Sequence, residues 1–167
     1  MNNIVLIGMP GCGKSTAGVI LAKTLGLDFI DTDLIICASQ KEKLQKIIET
    51  RGLEYFSKVE SDVGKNLRSN NCVIATGGSM VLYEEAMENL RSLGKVVFID
   101  VSYPELKRRV KNIKTRGITF KEGESLRDLY EYRRPFYQKY ADITLNVTSG
   151  TIEKTVKKLI DKLDCPV

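Results

Sequence analysis

The stretch Ile4-Val5-Leu6-Ile7-Gly8-Met9-Pro10-Gly11-Cys12-Gly13-Lys14-Ser15 decides the fold. Its last eight residues match GxxxxGK[ST] in full, and the four before them form a short apolar, β-branched run. A helical pattern follows at once from Thr16 to Leu25, with Leu21 and Leu25 on one face. The motif therefore stands in the strand–loop–helix setting of a phosphate-binding loop. Glycines let the backbone turn so that successive N–H groups point inward at phosphate oxygens, and the helix N-terminus adds its partial positive charge. The expected nucleotide contacts are Gly11, Cys12, Gly13, Lys14, Ser15 and Thr16. Lys14 is expected to bridge the β- and γ-phosphates and Ser15 to ligate Mg²⁺ through its hydroxyl.

Downstream, short apolar runs recur at Phe29 to Ile30, Cys72 to Ala75, Val96 to Ile99 and Ile143 to Val147, with helical stretches between them. This alternation predicts an α/β domain of βαβ units around a parallel sheet. Phe56, Val59, Val63 and Leu67 share one face of a helix predicted over Gly52 to Asn70 and expected to pack on the sheet. A C-terminal helix carries Ile152, Val156, Leu159, Ile160 and Leu163 on one face and solvated lysines on the other. Between residues 111 and 125 the periodicity fails and glycines stand at 117 and 123, the pattern of an exposed, mobile lid.

With 167 residues and no linker-like stretch, the chain predicts a single domain over residues 1–167. It contains no histidine, which excludes Ser-His-Asp, Cys-His and zinc-hydrolase chemistry. Cys12, Cys37, Cys72 and Cys165 are scattered, with no CxxC pair, so they read as buried or incidental thiols. No apolar run is long enough to span a membrane and the N-terminus lacks signal-peptide features, so a cytoplasmic protein is expected. The net charge of +5 suits either nucleic acid or polyanionic small substrates. GTPase signatures, DxxG and NKxD, are absent, so the expected class is a kinase for a small metabolite.

After the second strand come Asp31 and Asp33, placed by a parallel sheet at its ligand-binding carboxyl edge. One acid suits a Mg²⁺ shell and the other an acceptor hydroxyl; the competing reading, an Asp N-cap for the next helix, falls most easily on Asp33. Thr76-Gly77-Gly78-Ser79 closes the third strand, where paired glycines permit close approach by a ligand or a plain tight turn.

Taken in order, GMPGCGKST, FIDTD, ATGGS and LYEYRRPFY resemble the shikimate kinase family along nearly the whole chain. The resemblance implies a three-layer αβα P-loop kinase fold with a five-stranded parallel sheet and a mobile lid at about residues 111–125. It also implies an acceptor-binding helical region at about 33–70 and MgATP-dependent phosphorylation of the 3-hydroxyl of shikimate. By position, Asp33 matches the acid at the acceptor hydroxyls and candidate base, Asp31 the acid near the metal, and Gly77 and Gly78 the acceptor-contacting glycines. Arg133 matches the arginine on the acceptor carboxylate, with Arg134 as its neighbouring substitute. Arg116, seven residues after Arg109, matches the family's lid arginine, and Arg109 its adenine-stacking arginine. Adenine is also expected beside the loop from Asn146 to Gly150.

Three departures fall on the acceptor side. Where the family's acceptor helix reads FRxxE, this chain has Phe56-Ser57-Lys58-Val59-Glu60, so uncharged Ser57 occupies the position of a carboxylate-gripping arginine. Lys58 is turned about 100° away. The third glycine of GGG is Ser79, and the lid reads Lys114-Thr115-Arg116-Gly117-Ile118-Thr119 in place of RPLL. Lys107, Arg108, Arg109, Lys111, Lys114 and Arg116 put six cations within ten residues, without the interleaved aromatics of a nucleic-acid site. The expected partners are thus ATP and a small acceptor, shikimate or similar, with Mg²⁺, no nucleic acid, no membrane and a monomeric state. A different hydroxylated acceptor, or an ATP-binding module without turnover, are the competing functions.

Overall fold

The protein is described by a computed structural model over residues 3–110, 118 and 121–163. The predicted apolar runs become five parallel strands: β1 (Asn3–Ile7), β2 (Asp28–Asp31), β3 (Cys72–Ala75), β4 (Gly94–Val101) and β5 (Ile143–Val147). Their spatial order is β2-β3-β1-β4-β5. Every residue of β1 and β3 is buried, as expected of strands covered by helices on both faces. The connection after β1 runs outward to β2 and the one after β3 runs back past β1 to β4, so a crevice opens beyond the carboxyl ends of the adjacent strands β1 and β3. The phosphate-binding loop follows β1 into that crevice.

Helix α1 (Lys14–Leu25) starts directly from the loop, with Gly13 in the left-handed region at φ 95°. Its apolar face, Ala17, Leu21 and Ala22, is buried in the main core. Helix α2 (Thr32–Gln40) starts at the end of β2, and α3 (Leu44–Asn66) follows it. Gly52, at φ 84° and ψ 168°, interrupts α3 in a conformation that side-chain-bearing residues rarely adopt. The predicted start at Gly52 is therefore a break inside a longer helix, and the helix ends at Asn66 rather than Asn70. The expected packing of this helix on the sheet is also corrected: α3 packs mainly against α2 and α4. Phe56 joins Ile36 and Ile47 in a small second core, flanked by Val59 and Val63.

A 3₁₀ turn (Met80–Leu82) and α4 (Glu84–Leu93) link β3 to β4. The short helix α5 (Tyr103–Arg109) leaves the end of β4. Helix α6 (Leu126–Tyr140) begins with a capping box in which the Ser125 hydroxyl and the Asp128 backbone and carboxylate bond reciprocally. Helix α7 (Ile152–Leu163) closes the chain against α1. Most of the predicted lid, including Lys111, Lys114 and Arg116, lies outside the described residues. Its far end turns at Glu122 and Gly123, where the Lys121 N–H donates to Glu124 Oε2 at 2.9 Å.

Candidate active site

One cavity of about 290 Å³ joins the phosphate-binding loop to the acidic and basic residues of the predicted acceptor side. Gly11, Gly13, Lys14, Ser15 and Thr16 line it at one end, Asp33, Glu60 and Arg133 at the other, with Gly77 to Ser79 between them. Cys12 stands apart from its loop neighbours. Its side chain is buried, its N–H donates to Met9 O at 3.2 Å, and its carbonyl accepts from Arg109 Nη1 at 3.1 Å. Lys14 is held by the loop itself, its Nζ donating to Gly8 O at 2.8 Å and Met9 O at 3.0 Å.

The end of β2 and the start of α2 position the two aspartates, and the competing reading of Asp33 as the N-cap is corrected. Asp31, not Asp33, is the N-cap of α2: its Oδ1 accepts from the Asp33 N–H at 2.9 Å. Its other oxygen accepts from the Ser15 hydroxyl at 2.7 Å, tying strand β2 to the first turn of α1. Asp33 lies in the first turn of α2 and lines the cavity. Burial, reinforced by the Asp31 charge and partly offset by Lys14, pushes its carboxyl up to about 6.

Glu60, on the α3 face that also buries Phe56, lines the cavity too, although the sequence motifs assign it no role. It is 1% exposed. Its Oε2 accepts from the Ser79 hydroxyl at 2.5 Å and from the Tyr83 hydroxyl at 3.0 Å. Burial pushes the Glu60 carboxyl up to about 7, against the hydrogen bonds and the Arg133 charge that favour ionisation. Tyr83 is pushed up to about 12 by burial and by Glu60. The signal was a carboxylate four residues after Phe56, on an apolar stripe, where an acid is uncommon without a partner.

Gly77 separates Asp33 from Glu60, and its N–H donates to the buried Thr32 hydroxyl at 3.1 Å. Gly78 packs on Pro10 of the loop, and its carbonyl accepts from the Tyr137 hydroxyl at 2.5 Å. Helix α6 separates the two arginines of its Tyr-Arg-Arg-Pro run. Arg133 is 3% exposed and lines the cavity. Arg134 faces the other way and forms a two-pronged ion pair with Asp100, at 3.2 and 2.7 Å. Arg109 is set against the loop by Glu105, whose Oε1 accepts from its Nε at 2.6 Å. Hydrogen bonds from Arg108 and Arg109 hold the Glu105 carboxyl down to about 2. Ser57 lies off the main cavity and lines a smaller one, of about 150 Å³, behind Ser79 and Arg133. Of the predicted site residues, Arg116 alone lies outside the described residues.

A buried ammonium over a glycine-rich loop, a raised carboxyl and a buried guanidinium around one cavity suit group transfer between an anionic donor and an acidic, hydroxylated acceptor. Comparison with known proteins agrees with this reading. A family model described as shikimate kinase matches residues 10–164. The shikimate kinase of Caldanaerobacter subterraneus subsp. tengcongensis is 37% identical over 163 residues, covering 96% of this chain and 95% of that one. The structure of shikimate kinase from Acinetobacter baumannii in complex with shikimate superposes with a TM-score of 0.89 at 30% identity, over 98% of this chain and 93% of that one. The crystal structure of shikimate kinase from Aquifex aeolicus gives 0.83 at 34% identity, over 97% and 96%. With sequence, sheet order and site geometry in agreement, the chain belongs to the shikimate kinase family.

Proposed function

We propose that this chain transfers the γ-phosphoryl group of ATP to the 3-hydroxyl of shikimate. The observation that carries the reading is the single cavity in which the phosphate-binding loop meets Asp33 and Arg133. Backbone N–H groups of the loop and Lys14 bind the phosphates of ATP and stabilise charge on the transferring group. Asp33 accepts a hydrogen bond from the acceptor hydroxyl and takes its proton as the oxygen attacks phosphorus, a task suited to a carboxyl raised to about 6. Arg133 pairs with the acceptor carboxylate through its planar fork. Arg109, fixed by Glu105 and Cys12 O, borders the ATP side, and Arg116 is the proposed lid cation.

Mg²⁺ fits the residues present. The Ser15 hydroxyl and the Asp31 carboxylate, already in contact, are hard oxygen donors beside the loop, and this ion usually completes its shell with phosphate oxygens and water. When bound, it neutralises charge on the β- and γ-phosphates. No described helix is long and apolar enough to cross a membrane, and we place the reaction in the cytoplasm.

A second reading, another hydroxylated acid as acceptor, is favoured by one observation: Ser57 and Ser79 bring hydroxyls to the acceptor end. A coupled ADP-release assay with MgATP and a panel of shikimate, hydroxy acids, sugars and nucleoside monophosphates separates them. Turnover with shikimate at a KM of about 1 μM–1 mM supports the proposal. Turnover only with another acceptor supports the second reading, and ATP binding without ADP formation supports a non-catalytic module.

A further inference from the structure

Beside the main cavity lies the smaller one of about 150 Å³, and Ser79 and Arg133 line both. Its other walls include Ser57 and Tyr83 from the acceptor side and Lys121 and Glu124 from the segment before α6. We propose that Lys121 supplies the second cation for the carboxylate of the acceptor, reaching it across the space beside Ser57. The proposal rests on the reading that the acceptor is shikimate, a carboxylic acid.

Charge balance is the first reason. Arg133 is buried and its charge already acts on Glu60, so an ionised Glu60 and Arg133 together are close to neutral. A carboxylate entering beside buried Arg133 adds a negative charge that a second cation offsets. Helix α3 offers none there, because Ser57 is uncharged and Lys58 is exposed away from both cavities.

Geometry is the second reason. Lys121 and Arg133 are the cations lining the side cavity, and they stand on different chain segments. Glu124 is the acid among its lining residues, and its Oε2 is engaged by the backbone N–H of Lys121, which fixes that carboxylate to the turn. The lysine's long, flexible stem suits reach across a space that a serine leaves open, while the guanidinium of Arg133 fixes orientation. Lys121 is exposed, so solvent screens the pair and its effect is modest.

The test is steady-state kinetics of the full chain with saturating MgATP. Lys121→Met is expected to raise the KM for shikimate about three- to tenfold, with kcat and the KM for ATP changed less than about twofold. The same variant is expected to leave the KM for the carboxamide of shikimate unchanged, because that analogue carries no charge for the lysine to meet. Ser57→Arg added to Lys121→Met is expected to restore the KM for shikimate by filling the side cavity with a guanidinium. An unchanged KM for shikimate, or an equal loss with the carboxamide, overturns the proposal. Absence of shikimate turnover in the wild-type chain overturns the acceptor reading itself, and this proposal falls with it.

Discussion

The carboxylates of Asp33 and Glu60, from two different helices, close on the same side of Gly77. A methyl group built on that glycine would lie 2.8 Å from Asp33 Oδ1 and within overlap distance of Glu60 Oε1. The absence of a side chain at residue 77 is thus what lets both acids reach one point of the cavity wall.

Gly77→Ala is accordingly expected to push the two carboxylates apart. A loss of about 1–3 kcal/mol in urea unfolding is expected, together with a raised KM for the acceptor. Unchanged stability and KM would mean that neither acid is held at this wall.

Protonation of Asp33 sets the acid limb of the pH profile. Its carboxyl is raised from the ordinary 3.8 to about 6, so kcat/KM for the acceptor is expected to fall about tenfold per pH unit below about pH 6. Asp33→Asn is expected to lower turnover by about 10²–10⁴-fold and to remove that limb. Turnover near the wild-type value would remove Asp33 from its proposed role.

Glu60 affects stability with the opposite sign to an ordinary surface acid. Its carboxyl is raised when folded from 4.5 to about 7, so between these values the folded state holds more protons than the unfolded one. Its favourable contribution is therefore complete below about pH 4.5 and is lost as pH rises to about 7, at a slope of at most about 1.4 kcal/mol per unit. Asp33 adds the same sign between 3.8 and about 6. Unfolding free energies measured across this range are expected to decline less in Glu60→Gln than in the wild type. Equal slopes would contradict the assignment.

The two adjacent arginines of α6 give a paired control. Arg133→Ala is expected to raise the KM for the acceptor about ten- to a hundredfold. Arg134→Ala is expected to leave that KM near wild type and to destabilise the fold by about 1–3 kcal/mol, because Asp100 is left buried without its cation. Exchange of these two outcomes would reverse the assignment.

Lys14→Ala is expected to lower kcat by about 10²–10³-fold through loss of one preorganised donor at the phosphates. ADP release under saturating substrates checks it.

The sheet was readable from the sequence because its strands are nearly continuous apolar runs and the loop motif fixes where β1 ends. Boundaries moved where local context intervened. Phe29 and Ile30 extend into the polar Asp28 and Asp31, because backbone pairing with β3 does not depend on side-chain polarity. Helix α6 falls among the helical stretches expected between the strands, but the sequence gives it no bounds. Its buried stripe runs through Leu126, Leu129, Arg133, Tyr137 and Tyr140, and an arginine and two tyrosines mask the apolar period. Lys14 and Asp33, each named by a motif, both line the cavity. Glu60 required tertiary knowledge, since only the packing of α3 against the 3₁₀ turn brings Ser79 and Tyr83 to its carboxylate. The cap assignment needed the backbone as well: whether Asp31 or Asp33 caps α2 depends on where β2 ends.

The most direct test of the central claim is the identity of the phosphorylated product. Incubation of the wild-type chain with MgATP and shikimate, followed by ³¹P NMR, is expected to show one new phosphomonoester coupled to the proton on carbon 3 of shikimate, formed in equal amount to ADP. ADP formation with no phosphate on shikimate, or no reaction of shikimate while another hydroxylated acid is phosphorylated, would contradict the account.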